Sequence, residues 1–248
     1  MNVGATRRRR PRTVLASVAA VTTVLAVIGV TNVLTAGGQS GGVTIVSPEP
    51  APVVMRVVGF GHAAIAVPKV WGTNFSRCGT PRKDTVLIDD TSAASYCHMA
   101  RPKDVDTVEL RSTPRIDFHA DETFTIDGVR AERQRTVCPD GGVCRGAVAI
   151  PSLQVWFRAE SSTNADEVDR TLARIEIVRD RIGVPSYQSL DERPTGAAYA
   201  KVLARMGLRT AFVTRTSPSY LAGQVFGVSP RPGTLLRPGE TVTVTVVK

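Results

Sequence analysis

Residues 223–246, GQVFGVSPRPGTLLRPGETVTVTV, constrain the fold more than any other stretch of the chain. Pro230 and Pro232 fix φ, while Gly233 and Gly239 are free to take positive φ, so the two Pro-Gly dipeptides predict two tight turns. After the second, Val242, Val244 and Val246 alternate with Thr241, Thr243 and Thr245, the period-2 signature of a strand with one apolar face. A chain ending in this way has to set its last strand into a sheet and bring the preceding residues back to it.

Further upstream, residues 196–206 read as a helix in which Val202 and Leu203 precede Met206 by four and three residues, with Gly207 as the C-terminal stop. Residues 210–214 read as a strand. With Val184-Pro185 at the start and Gly223, Val225, Ser229, Pro230, Gly233, Gly239 and Val242 behind, the pattern resembles the PASTA domain, the small extracellular module of bacterial penicillin-binding proteins and cell-wall-sensing Ser/Thr kinases. The resemblance covers residues 184–248. It departs from the family in two places: residues 186–199 form a longer connection than usual, and Val228 stands where Gln is frequent. It implies binding in a cell envelope, to peptidoglycan fragments or a wall-synthesis or division partner, and no chemistry. Arg231 and Arg237 flank the two turns and Glu240 begins the last strand. A guanidinium there suits bidentate pairing with a muropeptide carboxylate, which makes these three the expected binding residues.

The opposite end predicts where such a module sits. Residues 14–34 carry no charge, and at about 1.5 Å per residue a helix of this length crosses a hydrocarbon core of about 30 Å. Arg7, Arg8, Arg9, Arg10 and Arg12 precede it, and the next charged residue is Glu49. The positive-inside rule then predicts a cytoplasmic tail (1–12), a single span in the lipid bilayer (13–35) and everything later outside the cell membrane. A cleaved secretory signal is the alternative, but its apolar region usually runs about 7–15 residues and Leu34-Thr35-Ala36 is a poor cleavage site. Residues 36–53, Gly/Ser-rich and then Pro-rich, read as a linker with a reach on the order of 50 Å at about 3.3 Å per residue.

The same arginines explain the charge. Without them the formal net charge of +9 falls to +4, so the basic balance is largely topogenic. With aromatics at 5 % and no nucleic-acid-binding motif, no nucleic-acid partner is expected.

Residues 54–183 have the size of one further domain. Strands are expected at 53–58, 63–67, 85–88, 105–110, 115–118 and 153–157, and a hairpin at 124–131, where Asp127-Gly128 suits a type I′ turn. The period then changes: Val168, Leu172 and Ile175 recur at i, i+4 and i+7, with Thr163 and Asp166 as a capping-box-like start, predicting one closing helix. The whole reads as α+β. A strand ending in AVPKVW and a late strand followed by EVDRTLARI resemble Mog1/PsbP-like domains, on Val67, Pro68, Trp71, Val168, Leu172 and Ile175.

All four cysteines fall in this domain, and an exported domain lies in an oxidising compartment where disulfides are the default. Four cysteines allow three pairings. Cys138-Pro-Asp-Gly-Gly-Val-Cys144 is a short turn-bearing loop that can close on itself, leaving Cys78 with Cys97. A zinc site using His98 beside Cys97 is the alternative, without any Cys-x-x-Cys spacing to support it.

No catalytic constellation emerges. Ser-x-x-Lys is absent, as are the kinase His-Arg-Asp and Asp-Phe-Gly motifs. Gly59, Gly61 and Ala64 match a dinucleotide fingerprint, but Pro68 breaks the helix that would have to follow. Adjacent Asp89 and Asp90 would point to opposite faces of a strand. The chain therefore reads as a non-catalytic envelope protein needing no cofactor and no metal. A cell-wall hydrolase or peptidase remains the alternative, favoured if a pocket gathers His62 or His119 with a carboxylate and a nucleophile.

Overall fold

Short β-branched runs bounded by Gly, Pro and Asp make strands the main element of this chain. The computed structural model describes residues 52–89, 99–140, 142–190 and 193–248. The predicted tail, span and most of the linker, with Asp90, Cys97 and His98, lie outside the described residues, and among those described no helix is long and apolar enough to cross a membrane.

In chain order, β1 (Met55–Phe60) and β2 (Ala63–Pro68) form a hairpin about Gly61, and β3 (Gly72–Thr73), β4 (Ser76–Arg77), β5 (Thr80–Pro81) and β6 (Thr85–Ile88) follow. Next come β7 (Thr107–Arg111), β8 (Glu122–Ile126), β9 (Val129–Val137), β10 (Cys144–Ile150) and β11 (Val155–Ser161). Helix α1 (Ala165–Leu172) and β12 (Ile175–Ile177) complete this part. The C-terminal part consists of β13 (Ile182–Gly183), α2 (Gly196–Arg205), β14 (Arg209–Arg215), β15 (Val225–Ser229), β16 (Leu235–Leu236) and β17 (Thr241–Val247).

A seven-stranded sheet runs β3-β6-β7-β11-β10-β9-β8, parallel from β3 to β7 and antiparallel beyond. The three-stranded sheet β1-β2-β12 and α1 pack against it around a core that includes Ile65, Ile88, Leu110, Ile150, Phe157 and Leu172. The fold is α+β with few helices. A second core, with Tyr199, Leu203, Val242 and Val244, lies in the C-terminal part.

The Asp127-Gly128 turn forms as expected: both residues are left-handed, at φ 50° and 79°, and Ile126 pairs with Val129. Other expectations need correction. Residues 115–118 form a turn, closed by the Phe118 N–H donating to the Arg115 carbonyl at 3.0 Å, because Ile116 has no apolar surface to meet and Arg115 is held by Glu109. The strand expected at 153–157 starts at Val155, since Pro151–Leu153 is a 3₁₀ turn ended by left-handed Gln154. β10 was not foreseen. Its Gly146 looks like a breaker but is a contact requirement: a Cβ there would lie 2.6 Å from Thr136 Oγ1 and 3.1 Å from Val168 Cγ1 of α1. The cap of α1 is Asn164 and not Thr163, its side chain accepting the Glu167 N–H at 2.9 Å, and the helix stops at Leu172, leaving Ile175 to β12.

Candidate functional site

The C-terminal part is built as its sequence dictates. Thr195 caps α2 by accepting the Ala198 N–H at 3.2 Å, and Gly207 at φ +82° ends the helix. The helix covers the sheet β14-β17-β15, whose β14 and β17 are parallel, and buries Tyr199, with its hydroxyl donating to the Pro185 carbonyl at 2.7 Å. Val242 and Val244 are fully buried. The alternation then lapses, with Val246 half-buried and Val247 buried, at the end of β17 where the pairing with β15 is irregular between Val225 and Gly227.

Both Pro-Gly turns are present, but they face different neighbours. Arg237 and Glu240 are brought together, as the Glu240 carboxylate accepts the Arg237 backbone N–H at 2.7 Å and closes the turn beside Gly207. Arg231 sits in the other turn, against the first part of the chain, and no hydrogen bond or ion pair between described residues joins it to Arg237 or Glu240. All three side chains are exposed. Next to Arg231, the half-buried Arg56 donates to the Trp71 and Gly72 carbonyls, and burial, then Arg231, lowers its pKa.

The Arg231 turn is part of a backbone ladder that welds the two cores. The Gly59 N–H donates to the Gly233 carbonyl at 2.8 Å, Gly183 to Gly61 at 2.8 Å, Gly233 to Val184 at 2.8 Å and Val184 to Thr234 at 2.9 Å, while β13 pairs with β16. Glycine is required where the backbones meet. A Cβ on Gly233, itself at φ +86°, would lie 2.6 Å from Ile88 Cδ1 and Val58 Cγ1, and one on Gly183 would lie 2.1 Å from the Gly59 carbonyl carbon. Residues 50–248 accordingly form one compact unit.

Beside this weld lies a groove with a volume of about 570 Å³. Its polar lining is His62, Asp89, Ser112, Gln154 and Arg205. Asp89 and Ser112 directly follow the parallel strands β6 and β7, and the crevice outside the carboxyl ends of parallel strands is a favoured place for ligands. Asp89 is 8 % exposed, left-handed at φ 42°, and among the described residues its side chain accepts only the Ser112 backbone N–H, at 3.4 Å. Burial raises its pKa to about 6, against the lowering pull of the Ser112 N–H and of Arg111. His62 Nδ1 lies 2.9 Å from the Arg181 carbonyl, which can only accept, so Nδ1 carries a proton, and in the neutral imidazole Nε2 is then the acceptor. The groove thus lines up a histidine, a carboxylate and a serine, yet no hydrogen bond joins the Ser112 hydroxyl to His62 or His62 to Asp89. Sequence reasoning names His62 for such a pocket but not Ser112 or Arg205, and sets Asp89 aside. The available signal was Asp89 itself, a carboxylate directly after four buried residues.

Cys138 and Cys144 form the expected disulfide; Cys78 is also disulfide-bonded, and Cys97 lies outside the described residues.

One helix packed on a three-stranded sheet with a parallel pair, closed by two Pro-Gly turns, defines residues 184–248 as a small α+β module. The family model of the PASTA domain matches residues 184–248, and this segment is a PASTA domain. No curated protein matches the chain.

Proposed function

We propose that this protein is a membrane-anchored, non-catalytic component of a bacterial cell envelope that binds peptidoglycan or a wall-synthesis or division partner. The PASTA domain at residues 184–248 carries the reading. The arginine cluster ahead of an uncharged run supports an anchor at 13–35 in the lipid bilayer with the rest outside, and the Cys138–Cys144 disulfide suits an oxidising compartment. Arg231 and Arg237 are the wall-facing cations of this reading. Their exposure and the rigid turns beneath them support the assignment, and Glu240 contributes by holding the Arg237 turn closed.

A hydrolase is the second reading, favoured by one observation: the groove gathers His62, Asp89 and Ser112. Against it, a serine nucleophile needs a base within hydrogen-bond reach, and the nucleophile–base contact is missing. Two experiments test the proposal. Protease added to intact spheroplasts digests everything beyond the anchor, whereas a protected full-length chain refutes the outward placement. Purified chain incubated with peptidoglycan releases no soluble fragments; release by the parent but not by Ser112→Ala establishes the hydrolase instead.

A further inference from the structure

The groove remains after wall binding is assigned to the PASTA turns, and its chemistry is specific. At about 570 Å³ it falls within the range of about 300–1,000 Å³ usual for small-molecule sites. One wall is formed by the ends of β6 and β7 and carries Asp89. Helix α2 contributes Arg205, in its last turn, to the same lining. Phe60, Leu153, Ile182, Leu190, Val202 and Met206 supply the apolar lining.

The two charged groups are both unspent. Among the described residues Asp89 is buried with a single long backbone donor and no ion pair, an arrangement costly to maintain without a partner. Arg205 is exposed and makes no ion pair among the described residues. In the neutral imidazole His62 Nε2 adds an acceptor with no hydrogen bond among the described residues. An acid, a guanidinium and apolar surface lining one groove complement a molecule with an ammonium group, a carboxylate and an apolar side chain.

We infer that this groove binds a small zwitterionic ligand of the amino-acid or dipeptide class, its ammonium against the Asp89 carboxyl and His62 Nε2 and its carboxylate against Arg205. The weld fixes the groove, because β13 and the Gly59, Gly183 and Gly233 contacts leave the two cores no freedom to part. The site therefore exists only where the PASTA domain is joined to the first domain, and it is independent of whether Arg231 and Arg237 hold the wall.

Titration calorimetry of the full chain with alanyl-leucine, N-acetyl-alanyl-leucine and alanyl-leucinamide tests the inference. The free dipeptide binds saturably, and each capped form binds at least about tenfold more weakly, the loss expected for one charge-assisted hydrogen bond. Asp89→Asn abolishes discrimination against the acetylated probe, Arg205→Gln abolishes it against the amide, and Val202→Trp blocks all three by filling the groove. Arg205 is exposed, so its variant reports on binding independently of the buried Asp89. Equal binding of free and capped dipeptides, unchanged discrimination in Arg205→Gln, or no saturable binding up to about 20 mM overturns the site.

Discussion

Replacing Asp89 with Asn makes the buried carboxyl report its own cost. The group sits at 8 % exposure, and burial lifts its pKa from 3.8 to about 6. A raised folded-state value means that the folded chain holds this proton more tightly than the unfolded one. The stability it contributes is complete below about pH 4 and is lost as the pH rises through about 6. At about 1.4 kcal/mol per unit, ionised Asp89 destabilises the folded protein at pH 7.5 by about 3 kcal/mol relative to its protonated form. Asn carries no charge, accepts the left-handed conformation that Asp89 holds at φ 42°, and keeps an oxygen for the Ser112 N–H. Its amide N–H₂ gains no new partner and returns roughly 1 kcal/mol of the benefit. Asp89→Asn should therefore be about 2 kcal/mol more stable than the parent at pH 7.5, a rise in Tm of about 4–8 °C for a unit of this size. The advantage should vanish at pH 4. Thermal and urea unfolding of both proteins at pH 4, 5, 6 and 7.5 measures the difference, and every other carboxylate cancels between them. A difference that does not change with pH, or a variant less stable at pH 7.5, refutes the reasoning.

Two further perturbations probe the frame around the groove. Gly183→Ala drives a Cβ against the backbone of Gly59 and Phe60, at 2.1 and 2.4 Å, and should cost about 3 kcal/mol and split calorimetric unfolding into two transitions; one unchanged transition would show that the ladder does not couple the cores. Removing the Cys138–Cys144 disulfide as Cys138→Ser with Cys144→Ser should cost about 2 kcal/mol in urea unfolding, the amount expected for so short a loop, and an unchanged midpoint would assign the bridge no role in stability.

How much of this was legible in the sequence depended on whether the signal was local. Asp127-Gly128 announced its hairpin because only residues tolerant of positive φ serve a type I′ turn, and Gly207 with the Thr/Val alternation over 241–246 likewise pointed to the PASTA domain. Asn164 was harder to choose, since Thr163 beside it is an equally good cap and only the backbone decides between them. β10 was hidden because the reasons for Gly146 lie on Thr136 of β9 and on Val168 and Leu172 of α1, ten to some twenty-five residues away. The weld and the groove were not legible at all. Gly59, Gly183 and Gly233 look like three unrelated turn glycines until the fold brings their backbones together, and Asp89 and Arg205 come to line one groove only after that contact is made. Arg231 and Arg237 looked equivalent beside their Pro-Gly turns, but one turn is a joint and the other caps the helix end.

Wall binding through the PASTA domain is the central claim, and co-sedimentation of the full chain with purified peptidoglycan tests it most directly. Parent protein should pellet with the polymer, and Arg231→Ala with Arg237→Ala should be retained several-fold less while keeping its Tm, as both side chains are exposed and make no side-chain ion pair among the described residues. Parent protein left wholly in the supernatant, or a double variant retained as well as the parent, would contradict the account.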